Sequence, residues 1–248
     1  MKKSIAAMAS ALAIAGALFA ACAAPVKPYD PFRAPRDEIR AVSTIALVSA
    51  VLIPSPNRDA LLASIESLAT AKLVAAGFTV LPTGETERLG QRAVDQIGGY
   101  FDPKTGKPDP AKQKAVFEFV RRELRASHHA DAMLFCDLGS TIAKFQRGIA
   151  YWNGMSEDVS SGGFWNNLAA SDWNGNVAAA SVYASLQDLE GRVLYYDAGG
   201  IEILSHISDG QFVDVPENER LTHPERIVRA VDIALGPLVQ AKSGTAAP

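Results

Sequence analysis

The chain has 248 residues, of which 48% are hydrophobic and 21% charged, enough to bury a core as one domain or at most two small ones. The formal net charge is −3, and no basic stripe is visible, which excludes nucleic acid as an expected partner. The two cysteines, Cys22 and Cys136, do not amount to a disulfide framework.

The amino terminus reads as an export signal. Lys2 and Lys3 precede an Ala-rich apolar run from Ile5 to Ala21, broken by Ser10 and Gly16 and ending in small residues. A membrane-spanning helix needs about 20 strongly apolar residues and different flanks. Residues 1–21 are therefore expected to be a signal peptide. Leu18-Phe19-Ala20-Ala21-Cys22 resembles a bacterial lipobox, with Phe19 where that motif usually carries Leu. The resemblance implies lipidation of Cys22, and Ala23 after it implies sorting to the outer membrane, facing the periplasm. The other reading is ordinary cleavage near Ala23, giving a soluble periplasmic protein. Residues 22–40 carry Pro25, Pro28, Pro31 and Pro35 without apolar period and are expected to be a tether.

A single α/β domain is expected over 41–240. Val42 to Leu52 is almost continuously apolar, as in a strand covered on both faces, and Pro54 and Pro56 close it. Leu62, Ile65, Ala69, Leu73 and Ala76 recur at helical spacing from about Arg58, and Gly77 supplies the stop. Phe78 to Leu81 follows as a short strand, making a strand–helix–strand unit of about 40 residues, the length of a parallel crossover.

Thr83 to Gly98 predicts a second helix, with Leu89, Ala93 and Ile97 on one side. The loop Asp102 to Asp109 lacks the alternating acids and closing Glu of a calcium loop. Asp109 as N-cap and Pro110 at the first position start a third helix. Its buried side is expected to be Ala115, Phe117, Val120 and Leu124, its wet side Arg121, Arg122 and Arg125. Ala132 to Leu138 is another strand, extending towards Phe145, and Cys136 within it reads as a buried small hydrophobe.

Residues Ser181 to Gln187 alternate apolar with polar, Asp188-Leu189-Glu190-Gly191 supplies a turn, and Arg192 to Tyr196 is β-branched and aromatic. This is an antiparallel hairpin, extended by Ile201 to Leu204. Thr222 to Glu225 resembles a capping box opening a last helix with Ile227, Val231, Ala234 and Leu238 inward. A small polar tail is expected over 241–248. The sum is a mixed sheet of about five strands with a strand–helix–strand crossover, a late antiparallel hairpin and flanking helices.

That order resembles the exported lipoprotein domains related to the TolB amino-terminal domain, among them penicillin-binding-protein activators, curli secretion lipoproteins and small lipoproteins of unknown function. Thr44 to Val48, Gly77 to Leu81, Ala130-Asp131-Ala132, and Asp188 with Gly191, Val193 and Leu194 carry the likeness over roughly residues 40–240. In the curli relatives long amphipathic hairpins build a pore. The matching region here, Gly148 to Asn176, lacks sustained alternation, so pore formation is not expected.

All three tryptophans, Trp152, Trp165 and Trp173, lie in that region, each followed by Asn, and Tyr151 precedes the first. Such rings are enriched at interfaces, which makes Tyr151, Trp152, Trp165 and Trp173 candidate partner-binding residues. The alternative, that the rings fold back over the sheet, is the commoner fate of large aromatics. No nucleophile elbow, HExxH, phosphate-binding glycine loop or paired-cysteine spacing occurs, so no catalytic residue, metal ligand or cofactor is assigned. His128, His129 and Asp131, and His206, Asp209 and His223, are the residues a metal would need.

The expectation is an outer-membrane-anchored periplasmic lipoprotein that is not an enzyme. It is expected to act as a binding or accessory module in envelope assembly or regulation, with an envelope protein or itself as partner. The alternatives are an exported metal-assisted hydrolase and a ring-forming structural or secretion subunit.

Overall fold

The computed structural model describes residues 29–160, 173–208 and 210–244. The folded unit runs from Pro31, so the expected tether ends about ten residues earlier than 40. The reason is local. Arg33 N donates to Leu194 O at 2.8 Å, Tyr196 N to Pro31 O at 2.9 Å, and the Phe32 ring tilts onto Tyr195 at 5.3 Å. A short helix, α1 (Arg36–Ala41), then buries Ile39 completely. Four prolines make the segment look like spacer, yet Phe32 and Ile39 supply the apolar surface that docks it.

The fold is α/β, and its mixed sheet is larger than the five or so strands expected. Among the described residues, β1 (Thr44–Val48) lies parallel to both β2 (Thr79–Leu81) and β3 (Ala132–Gln146). The fifteen-residue β3 pairs antiparallel along its whole length with β6 (Asn174–Asp188), and β6 with β7 (Val193–Ile203). Beyond β1, the free margin of β3 is taken by β4 (Ile149–Trp152), which pairs with β5 (Met155–Asp158), completing seven strands. A separate ribbon joins β8 (Ser205–Ser208) to β9 (Gln211–Asp214).

β4 and β5, like β8 and β9 of the ribbon, are missed by pattern reading because each is only four residues long. Their signal lies in the turns. Arg147-Gly148 and Asn153-Gly154 all take positive φ, 51° and 78° and then 40° and 75°, the pair of left-handed positions a two-residue hairpin turn requires. β1 is shorter than its apolar run: past Val48 only Val51 pairs, as a lone bridge to Leu138.

Helices cover the two faces of the sheet because consecutive strand residues point to opposite sides. On one face Ile45 and Leu47 of β1 and Leu134, Cys136 and Leu138 of β3 meet two helices, α2 (Arg58–Ala75) and α5 (Pro224–Ser243). On the other, Ala46, Met133 and Phe135 meet α3 (Thr83–Ile97) and α4 (Pro110–His128). α5 lies so close to β7 that the chain there must be Gly199. The expected inward residues Ile227, Val231, Ala234 and Leu238 are all buried.

The expected capping box is absent: α5 starts at Pro224 with His223 as a cap that makes no side-chain bond, and Thr222 turns its hydroxyl to Glu219 O instead. The helix also continues to Ser243, into the expected tail. Asp109 caps α4 as read, accepting from Ala111 N at 2.9 Å and Lys112 N at 3.3 Å. The buried stripe of α4, however, is Val116, Val120 and Leu124, and Phe117 points outward. Among the described residues no helix is long and apolar enough to cross a membrane.

Candidate functional site

Cys22 and Trp165 lie outside the described residues, as does Asp209. Trp152 is packed inside the molecule and not displayed on its surface. It is 7% exposed, its indole N–H donates to Ala180 O at 3.1 Å, and it packs where Gly200 leaves room. With Gly200 N donating to Asn153 O and Asn153 Nδ2 to Ser181 Oγ, both at 2.9 Å, the β4–β5 hairpin folds over β6 and β7 with Trp152 as its clasp. Trp173 is half-buried against the same cluster of Phe145, Val159 and Ile207. Tyr151, 58% exposed, is alone among the described members of this aromatic set in facing solvent. Alternation explains the difference: neighbouring residues of one strand take opposite faces.

The four histidines do not share one site. His128 Nε2 lies 3.1 Å from Glu85 Oε1, and that carboxylate is also bound by Arg88, whose hydrogen bond holds it below the ordinary carboxylate range. His129 takes a left-handed conformation to end α4. The Asp131 carboxylate accepts from Ser43 N at 2.7 Å and Thr44 N at 2.9 Å, tying the start of β3 to the start of β1.

His206 and His223 line a separate cavity of about 270 Å³ with Glu157, Glu202 and Arg226. There Arg226 donates to Glu157 at 2.7 Å and stands 3.7 Å from Glu202. Ile203 N and Leu221 N donate to the two carboxylates, and burial pushes Glu202 upward. These glutamates are committed to holding the entry to α5. Among the described residues no three His, Cys, Asp or Glu side chains are arranged to hold a metal ion. Cys136 is fully buried, and burial raises its thiol to about 12, far from a nucleophile.

The site the sequence did not single out lies between α4 and the β6–β7 turn. A groove of about 750 Å³, within the usual range for ligand sites, is lined by Lys114, Phe117, Arg121, Arg125, Phe135 and Gln187. The helical residues are three or four apart and so form one stripe.

The turn opposite is rigid. Asp188 Oδ1 accepts from Glu190 N at 3.1 Å and Arg192 N at 2.8 Å, and Gly191 sits at φ +91° above the Arg121 guanidinium. Burial works against the charged form of Asp188, but the bonds from Arg192 prevail and hold its carboxyl below the usual range.

Around the groove Arg125 pairs with Glu190 and Lys114 with Glu118. Arg121 makes no ion pair among the described residues. Its contacts are a long 3.5 Å bond to Gln187 and the Phe117 ring at 6.0 Å, and its Nε is buried without a partner. An anionic group entering the groove would meet a guanidinium that still has donors to give. The signal was present as Lys114, Phe117, Arg121 and Arg125 at helical spacing, hidden by assigning Phe117 to the core.

No family model matches the chain, and no curated protein matches it. Among the solved structures that resemble it distantly are two PelC dodecamers from Paraburkholderia phytofirmans. One, a form carrying a single leucine-to-methionine substitution, is 14% identical over 80% of this chain and 90% of that one, with a TM-score of 0.35. The other is 13% identical over 80% and 88%, with the same TM-score.

Proposed function

We propose that this chain is a lipid-anchored, periplasm-facing module of the outer membrane that acts by binding and does no chemistry. The single observation that carries the binding half of the reading is the cationic groove along α4, where Arg121, which makes no ion pair among the described residues, lies beside an outward Phe117. The leader-like run, Cys22 and Ala23 support the anchored half. Several acyl chains on one cysteine would hold the domain at the membrane, since each buried methylene contributes about 0.8 kcal/mol.

Two measurements on protein from native-host membranes test the reading. Intact mass should show a mature chain beginning at Cys22 with added acyl mass, absent from a Cys22→Ser form; an unlipidated chain cleaved near Ala23 refutes the anchor. A photoreactive residue at Phe117 should capture a partner in the envelope. The same residue at Val228, exposed on α5, should capture none. Equal labelling from both positions, or none from either, refutes the groove as a binding surface.

A further inference from the structure

We propose that the occupant of the groove is a second copy of this chain, inserting its β8–β9 ribbon head-to-tail; this rests on the reading of the groove as a binding surface. The ribbon is the chemical complement of the groove. All four residues of β9, Gln211 to Asp214, are exposed; Phe212 sets one ring edge on Phe145 at 6.4 Å but keeps 59% of its surface in water, and Val213 keeps 51%. Asp214 ends the strand and Glu217 follows in the next turn, both exposed.

Spacing agrees as well as sign. Phe212 and Asp214 are two residues apart on one strand and therefore share a face, separated by about 6.8 Å. Phe117 and Arg121 are four apart on α4, a rise of about 6 Å. A ribbon laid along the helix brings ring to ring and the Asp214 carboxylate to the guanidinium that lacks an acid. Asp214 makes no ion pair among the described residues either, so neither charge has to leave a partner.

One copy does not satisfy itself. The ribbon leaves the sheet where Leu204 N meets Ala178 O, while Gln187 lines the groove at the other end of β6. Nine residues of extended strand separate the two places by about 30 Å. The contact is then between different patches of successive copies, the heterologous kind that closes into a ring if its rotation permits and otherwise runs on as a filament. Copies held on one membrane by their acyl chains meet at high effective concentration, so each contact can be individually weak.

The test uses the full mature chain in mild detergent, with mass measured by sedimentation against protein concentration. Wild type should assemble beyond a monomer. Asp214→Arg and Arg121→Glu should each raise the concentration needed by at least about tenfold, as like charges come to face each other. The double variant should recover most of the loss. Because Arg121 is partly enclosed, Phe212→Ala on the exposed ribbon provides a second disruption with no risk to the fold of α4. The photoreactive residue at Phe117 should join to the peptide 211–217 of another copy.

A monomeric wild type, assembly indifferent to these changes, or a double variant no better than the singles overturns the proposal. A monomer whose Phe117 position labels a different envelope protein overturns self-assembly and leaves the binding reading standing. A monomer that labels nothing overturns both.

Discussion

Gly199→Ala tests the packing of α5 on the sheet. A Cβ on Gly199 would overlap Ala230 O outright and stand 2.7 Å from its carbonyl carbon and 2.8 Å from its Cα. All three are helix backbone, so no side chain can swing away, and relief to ordinary contact requires α5 to retreat by about 1 Å or more. A gap of about 0.5–1 Å already forfeits a quarter to a half of each dispersion contact along the buried stripe Ile227, Val231, Ala234, Leu235 and Leu238.

Overpacking of this kind typically costs about 1–3 kcal/mol, and a backbone clash belongs at the top of that range. With a urea m-value of about 2 kcal/mol/M, the midpoint should fall by about 1.5 M. Gly90→Ala is the matched control: it lies inside α3, nothing stands within 4 Å, and its φ is ordinary. There the same added methyl should stabilise by about 0.5–1 kcal/mol through helix propensity. The assay is urea unfolding followed by tryptophan fluorescence and far-ultraviolet circular dichroism on both variants. If Gly199→Ala falls within about 0.5 kcal/mol of wild type, as an unconstrained surface change would, the close seating of α5 on β7 is wrong.

Three further outcomes are expected. Trp152→Ala should destabilise by about 3–5 kcal/mol, and Trp152→Phe by about 1–3 kcal/mol because it strands Ala180 O, whereas Tyr151→Ala should stay within about 0.5 kcal/mol; equal effects in thermal melts would contradict the opposed faces of β4. Asp188→Asn should cost about 1.5–3 kcal/mol at pH 7. The Asp188 carboxyl sits below its ordinary 3.8 in the folded state, so its contribution is present above that value and lost as pH falls through the folded one. The gap between wild type and Asn variant should therefore shrink as pH falls below 3.8, and a constant gap across the urea midpoints would show that the charge is not what locks the turn. Cys136 in a Cys22→Ser background should resist thiol reagents until the protein unfolds, since burial both hides it and raises its thiol to about 12; labelling faster than unfolding would disprove its enclosure.

Most of the architecture was legible in the residues because long elements carry their period in the chain itself. Ile65, Ala69 and Leu73 on α2, Asp109-Pro110 at the start of α4 and Asp188 to Gly191 at the turn act through neighbours within a few residues, and each stands where its pattern placed it, although at the start of α2 the buried leucine is Leu61 and not Leu62. What tertiary structure decided was which side of a short element faces another. Four-residue strands show too little alternation to declare a face, so Trp152 and Tyr151 looked alike until β4 folded over β6. Phe32 looked like spacer until β7 gave it something to cover, and Ile39 until α5 did. Phe117 is as apolar as any core residue, and only the packing of α4, one position along at Val116, turns it outward beside Arg121. Sequence sets the helices and the turns; the groove exists because α4 and the β6–β7 turn, distant in the chain, are brought face to face by the fold and bridged by Arg125 and Glu190.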